Sequence, residues 1–340
     1  MIRQALFFLA PRRVEIRGEK IPEPGPGQVL VETVLSGISP GSELLVYRGQ
    51  APQEMAVDLT IRALAGRFTF PLKYGYSAVG LVNRLGPKVK KSWLGRLVFS
   101  FQPHQSHFVA RTSELFPLPK GVTPEEAVFF PNLETAVSLV MDGRPLIGEA
   151  AVVFGQGVVG LLTTALLSRF PLGCLLTLDG YPRRREFSRK LGAEDSLDPT
   201  DPQTPSRLEE DLAPQSGADL VYELSGNPTA LNLALGACGL GGRIVVGSWY
   251  GQKQTAVNLG GKFHQGRIKL ISSQVSTLAP ELSGRWSKAR RFEVVWRWLK
   301  EIGPADLITC RFPLEQAGEA YRLLDEDPSQ DLQVVLTYHS

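Results

Sequence analysis

The sequence predicts a two-part α/β fold, a β-rich half joined to a doubly wound parallel sheet. Three observations carry that expectation. Ala151-Val-Val-Phe-Gly155-Gln-Gly157-Val-Val-Gly160 runs from a β-branched apolar strand through Gly-x-Gly-x-x-Gly into an apolar pattern of helical spacing. From residue 150 to 272, strand-like and helix-like segments alternate, the pattern of a parallel sheet with crossover helices. Residues 1–122 instead hold short strand-like runs punctuated by proline and glycine.

In the first half the strand-like runs are Ala5–Leu9, Val14–Arg17, Val29–Leu35, Ala78–Arg84, Leu97–Phe101 and Gln105–Ala110. Ile21-Pro-Glu-Pro-Gly-Pro-Gly27 is a stiffened, turn-rich link, and Met55–Ala65 reads as a short helix. Thr123-Pro-Glu-Glu126 supplies a capping hydroxyl, a proline at the first helical position and an acid at the third, so a helix starts there. Another is expected over Asn132–Asp142. The alternation then runs through strand Ala150–Phe154, helix Val158–Arg169, strand Leu175–Asp179 and helix Arg184–Leu191. It continues with strand Leu220–Leu224, helix Pro228–Ala237, strand Arg243–Val246 and a last strand at Lys269–Ser272. An amphipathic helix over Gly284–Glu301 carries Trp286, Trp296 and Trp298 at core-packing spacing. Leu307–Phe312, a helix Leu314–Leu324 and strand Leu332–Thr337 are long enough to return and complete the first domain.

A chain of 340 residues suits two domains. Its net charge of +3 is too small to imply nucleic acid or a membrane surface as partner. The three cysteines, Cys174, Cys238 and Cys310, lie far apart, which suits buried thiols in a reducing compartment better than a disulfide or metal framework. The apolar opening Met1–Ala10 is short and runs into Pro11-Arg-Arg, so it reads as a first strand and not a secretory leader. No run approaches the roughly 18 apolar residues of a membrane span. A cytoplasmic protein acting on a small molecule is expected.

The glycine stretch implies a nucleotide. Gly155 permits a sharp turn, Gly157 lets the backbone approach a pyrophosphate, and Gly160 lets helix pack on strand. Gln156, Val158 and Val159 complete the loop and helix start, whose N–H groups and dipole favour phosphate. Asp179 ends the next strand about 20 residues on, where an acid accepts hydrogen bonds from ribose hydroxyls and repels a 2′-phosphate. That favours NAD. Arg183, Arg184 and Arg185 follow at once and keep NADP open. Ser225-Gly226 and Gly247-Ser248 end the fourth and fifth strands and should line the same ligand, with Trp249 and Tyr250 beyond them.

With these pieces in place the sequence resembles the medium-chain dehydrogenase/reductase superfamily over nearly its whole length. Pro24-Gly-Pro-Gly-Gln-Val-Leu-Val31, Ser36-Gly-Ile-Ser-Pro-Gly-Ser-Glu43, Tyr74-Gly-Tyr-Ser-Ala-Val-Gly80 and Ala218-Asp-Leu-Val-Tyr-Glu-Leu-Ser-Gly-Asn227 carry the resemblance. Gly-Ile-Ser-Pro-Gly-Ser-Glu and Pro103-His-Gln point to the subgroup of bacteriochlorophyllide a dehydrogenase. The resemblance implies a GroES-like catalytic domain over 1–122 and 280–340 and a Rossmann NAD(P)-binding domain over 123–279. It also implies a cleft between them and a homodimer or homotetramer.

The departures bear on mechanism. Zinc-dependent members place cysteine where this chain has Ser39, and histidine and glutamate where it has Tyr76 and Ser77. Hydroxyls cannot supply the thiolate and imidazole field of zinc, so neither a catalytic nor a structural zinc is expected. Charge developing on a substrate oxygen must then meet hydrogen-bond donors. Tyr76, at the histidine position, is the first candidate, against a role as a cleft-lining aromatic. By resemblance Ser42 matches a proton-relaying hydroxyl, Glu43 a supporting acid, and Thr135 a residue facing the nicotinamide. Glu134 is a candidate acid/base if buried. Lys73, Tyr74 and His104 are lesser candidates, and Gln274 a partner for the carboxamide. The expected reaction is hydride transfer between nicotinamide and a hydroxyl or carbonyl carbon of a small apolar or ring-shaped substrate. The alternatives are a zinc-free enone or quinone reductase and a nucleotide-binding protein without turnover.

Overall fold

The computed structural model describes residues 2–338. The chain opens with an antiparallel pair, β1 (Ile2–Ala10) and β2 (Arg13–Lys20). β3 (Gln28–Ile38) leads into α1 (Pro40–Tyr47), a helix that no periodicity announces. β4 (Ala78–Leu85), β5 (Leu97–Ser100), β6 (His107–Arg111) and β7 (Phe116–Pro117) follow. The long β3 pairs antiparallel with both β4 and β6, and its alternate residues Val29 and Val31 are buried with Val82, Val98 and Phe108. Met55–Ala65 does not form the expected helix. Only Arg62–Leu64 turns helically, because Asp58 captures the N–H groups of Thr60 and Ile61 in a tight turn that competes with a helix start.

α2 (Pro124–Ala127) is closed by the Thr123–Glu126 capping box, Thr123 N donating to Glu126 Oε2 at 2.7 Å. α3 (Phe130–Gly143) then enters a crossover series. It comprises β8 (Ala150–Phe154), α4 (Val158–Leu167), β9 (Cys174–Leu178), α5 (Pro182–Lys190), β10 (Asp195–Leu197) and α6 (Thr204–Asp211). β11 (Ala218–Glu223), α7 (Ala230–Ala237), β12 (Cys238–Val246) and β13 (Lys269–Ser272) finish it. The six strands are parallel, in the order β10-β9-β8-β11-β12-β13. The order reverses between β8 and β11, so the connections leaving those two strands diverge and open a crevice at their carboxyl ends. Val152, Phe154, Leu176, Val221 and Ile244 fill the sheet's buried face. β10 and α6 escape a sequence reading because both are short and polar.

After α8 (Lys288–Ile302), β14 (Ile308–Pro313), α9 (Ala317–Glu326) and β15 (Gln333–Thr337) return to the first half. β15 pairs antiparallel with β3, completing a seven-stranded sheet. The chain forms two compact units, one up to Pro131 and again from Trp296, the other from Asn132 to Val295. The divisions therefore fall inside α3 and α8, not at 122/123 and 279/280. The reason is local bonding. Ser77 Oγ donates to Val128 O at 2.5 Å, and Phe130 packs on Phe99 and Trp296 at 4.7 and 4.6 Å between ring centroids. Arg291, earlier in the same helix, bonds inside the other unit to Glu134 and Ser138. Trp296 is thus a packing residue, whereas Trp286 carries the Arg290 guanidinium 4.0 Å from its ring. No helix among the described residues is long and apolar enough to cross a membrane.

Candidate active site

β8 ends in Phe154, and the chain turns at Gly155, whose φ of +89° suits glycine. A side chain there would press on the Ser225 backbone at 2.5 Å. Gly157 caps α4 with open space before it, while at Gly160 a β-carbon would collide with the Gly155 carbonyl. The loop therefore bares the first N–H groups of α4, as an anion cradle requires. Gln156 departs from expectation. Its side chain is fully buried, donating to Gly155 O at 3.1 Å and accepting from Thr164 Oγ1 at 3.0 Å, so it braces the loop from within. Val158 is buried behind it, and Val159 is half-buried.

Asp179 stands just past β9. Its Oδ2 accepts the Gln156 N–H at 2.7 Å and its Oδ1 the Tyr181 N–H at 2.9 Å. One carboxylate thus ties the glycine loop to the start of α5. Arg184 lies 3.9 Å from Asp179 Oδ2, its guanidinium 4.7 Å from the Tyr181 ring centroid, forming a flat cationic surface. Arg185 turns away to Asp179 O and Asp198.

Glu223, the last residue of β11, escaped the sequence reading. It is completely buried, and its carboxylate accepts from Ser225 N at 2.9 Å and from the hydroxyls of Ser225 and Tyr250. Burial, then the carboxylate, pushes the Tyr250 hydroxyl far above its usual range. Ser248 Oγ accepts from Gly226 N at 2.9 Å and donates to Glu223 O at 3.3 Å. Ser225, Gly226 and Ser248 therefore form one knot over the strand ends. Gly247 lies against Leu139 and Leu224, with no room for a side chain. An acid in the otherwise apolar run Leu220-Val-Tyr-Glu-Leu224 was the signal for this knot. Gln274, expected at a carboxamide, bonds Ser276 instead. Thr135 is half-buried on α3.

In the first unit Tyr76 Oη and Ser42 Oγ are 2.6 Å apart. Burial and then the charge of Glu43 push the Tyr76 hydroxyl up to about 12, against the opposing hydrogen bonds of Ser39 and Ser42. Tyr76 therefore keeps its proton across the ordinary pH range and is a donor, not a base. Tyr74 packs edge-on against Tyr76 and Phe68, at 5.9 and 5.6 Å between centroids. Lys73 does not join this cluster, because its ammonium pairs with Glu19 at 2.8 Å. Glu134, expected as an acid/base, is instead buried against the Arg291 guanidinium. A carboxylate so paired serves as a tie between α3 and α8.

Residues 158–293 match the family of zinc-binding dehydrogenases. The chain is 25% identical over 270 residues to D-guloside 3-dehydrogenase of Escherichia coli (strain K12), covering 78% of this chain and 77% of that one. The chain is thus similar to alcohol dehydrogenase-like enzymes. The dehydrogenase also shares its fold with a short chain alcohol dehydrogenase from E. coli CFT073 complexed with NADH (TM-score 0.78, 20% identity, 99% of each chain). A second match is 2R,3R-butanediol dehydrogenase from Bacillus subtilis (TM-score 0.79, 19% identity, 98% of this chain and 99% of that one). The glycine loop, open before Gly157 and edged by Asp179, fits a nicotinamide dinucleotide. No cluster of three or more His, Cys, Asp or Glu side chains among the described residues could hold a metal. Burial pushes the thiols of Cys174 and Cys238 up to about 11.

Proposed function

We propose that this dehydrogenase moves hydride between NAD(H) and the hydroxyl or carbonyl carbon of a small apolar or ring-shaped substrate, with hydroxyl donors in place of zinc. The hydrogen-bonded pair of Tyr76 and Ser42, standing where zinc-dependent relatives put histidine and a relay hydroxyl, carries the reading. A bound nicotinamide supplies the hydride acceptor or donor. In carbonyl reduction Tyr76 gives its proton to the oxygen that gains alkoxide charge as hydride arrives, and Ser42 orients the phenol and returns a proton to it from solvent. Alcohol oxidation runs the same relay in reverse, the proton leaving to solvent. The aromatic flank of Tyr76, made by Tyr74 and Phe68, supports an apolar or cyclic substrate. The resemblance to the bacteriochlorophyllide dehydrogenase subgroup, a cytoplasmic setting and a homodimer or homotetramer belong to the same proposal.

The test is absorbance of reduced nicotinamide against a panel of alcohols with NAD, on protein assayed for metal. Tyr76→Phe should lower kcat about 100- to 1,000-fold, the usual effect of removing one oxyanion donor, with NADH affinity unchanged. Stoichiometric zinc in active protein, or an unaltered kcat in the variant, would refute the zinc-free mechanism. For the cofactor, NADH should bind more tightly than NADPH. Asp179→Asn keeps the shape but removes the charge, so it should weaken NADH about tenfold or more through a lost charge-assisted hydrogen bond and narrow the preference. Fluorescence titration with both nucleotides checks this, and a preference for NADPH in the parent protein would reverse the assignment.

A further inference from the structure

Beneath the hydroxyl pair lies a chain of buried polar side chains that the dinucleotide chemistry does not call for. Glu43 and His104 are both completely buried. Glu43 Oε1 accepts the Ser39 N–H at 2.7 Å, and Oε2 accepts from His104 Nε2 at 3.0 Å and from the Tyr321 hydroxyl. His104 Nδ1 lies 2.7 Å from Ser36 Oγ, and Ser36 Oγ lies 2.7 Å from the Tyr338 hydroxyl. One donor order satisfies every atom. Tyr338 donates to Ser36, Ser36 to His104 Nδ1, and His104 Nε2–H and Tyr321 both donate to Glu43. The imidazole fills the space over Gly75, where a β-carbon would stand 2.6 Å from its Cδ2 and Nε2.

The target of this chain is the start of α1. Ser39 stands at the N-cap but its side chain makes no capping bond, and Glu43 reaches back to the Ser39 N–H instead. The Ser39–Ser42 turn, closed by the Ser42 and Glu43 N–H groups on Ser39 O, is thus also tied to a carboxylate held from α9 by Tyr321 and from the segment before β6 by His104.

We propose that Glu43, His104 and Tyr321 are positioning residues that hold the Ser39–Ser42 turn, and with it the Tyr76 hydroxyl, where the substrate oxygen binds. The proposal rests on the role given to Tyr76 above. The groups facing that phenol are Ser39, Ser42 and Glu43 from the turn and α1, and Tyr74 from its own segment. Among the described residues Glu43 is thus the charge acting on it.

The experiment needs no substrate. The full chain is labelled at tyrosine Cζ, and the Tyr76 resonance is assigned by its loss in Tyr76→Phe. In Glu43→Gln the ionisation midpoint of Tyr76 should fall from about 12 by about one pH unit, as the opposing charge is gone. In His104→Gln and Tyr321→Phe the Tyr76 resonance should leave its parent position at neutral pH, with circular dichroism and NADH affinity unchanged. An unmoved midpoint in folded Glu43→Gln overturns the proposal. Should that variant not fold, an unmoved Tyr76 resonance in the other two does so. Failure of every alcohol to turn over would instead sink the reaction proposed above and leave this titration readable.

Discussion

Gly160→Ala is expected to abolish useful NADH binding. The new β-carbon would enter the Gly155 carbonyl, and neither atom can give way without moving the loop. Overpacking of this kind costs about 3 kcal/mol, and the loop can relieve it only by shifting its N–H groups off the phosphates, which should weaken NADH about 100-fold. Because the clash exists without ligand, thermal stability should fall as well. Gly157→Ala makes the contrast. Nothing lies within 4 Å of that position, so the variant should keep its stability and lose affinity only through obstruction of the pyrophosphate. Thermal melts paired with NADH titrations separate the two. Normal affinity in Gly160→Ala would mean that the nucleotide does not lie over this loop.

Arg291→Met is expected to destabilise the fold by about 3–5 kcal/mol, because it strands the buried Glu134 carboxylate. The same guanidinium donates to Val275 O at 2.7 Å, Thr277 O at 3.4 Å and Ser138 Oγ at 2.9 Å, so the segment after β13 loses its anchor too. Adding Glu134→Gln should recover part of the loss, since the uncompensated charge is then gone. Chemical denaturation of the two variants measures both effects. A near-neutral Arg291→Met would show that water reaches Glu134, and would restore that carboxylate as a candidate for proton transfer.

The second unit was largely legible before any coordinates. Most of its strands and helices announce themselves by their own apolar residues, as in the continuous apolar run Ala150–Phe154, where every residue is buried. The glycine loop was legible for the same local reason: a sharp turn, a close approach and a tight packing each demand a missing side chain. The proposed catalytic pair was less so. Tyr76 and Ser42 could be picked out singly by resemblance, but not their mutual hydrogen bond, and Glu134 was misread because its partner lies 157 positions away.

What the sequence determined by itself, then, was the alternation that builds the parallel sheet, the glycine loop with its acid, and the hydroxyls of Ser39 and Tyr76 in the motifs that carry the resemblance. These follow from forces acting within a few residues: backbone conformation, side-chain period and the chemistry of a single group. Only the tertiary structure decided which polar groups were already committed to one another. Asp179 is bound to the loop it edges, Gln156 is turned inward, Glu223 is capped by Tyr250, and Glu43 is shared among His104, Tyr321 and the Ser39 peptide. A buried polar atom must find a partner wherever the fold offers one, and the partner's place in the chain carries no local signal.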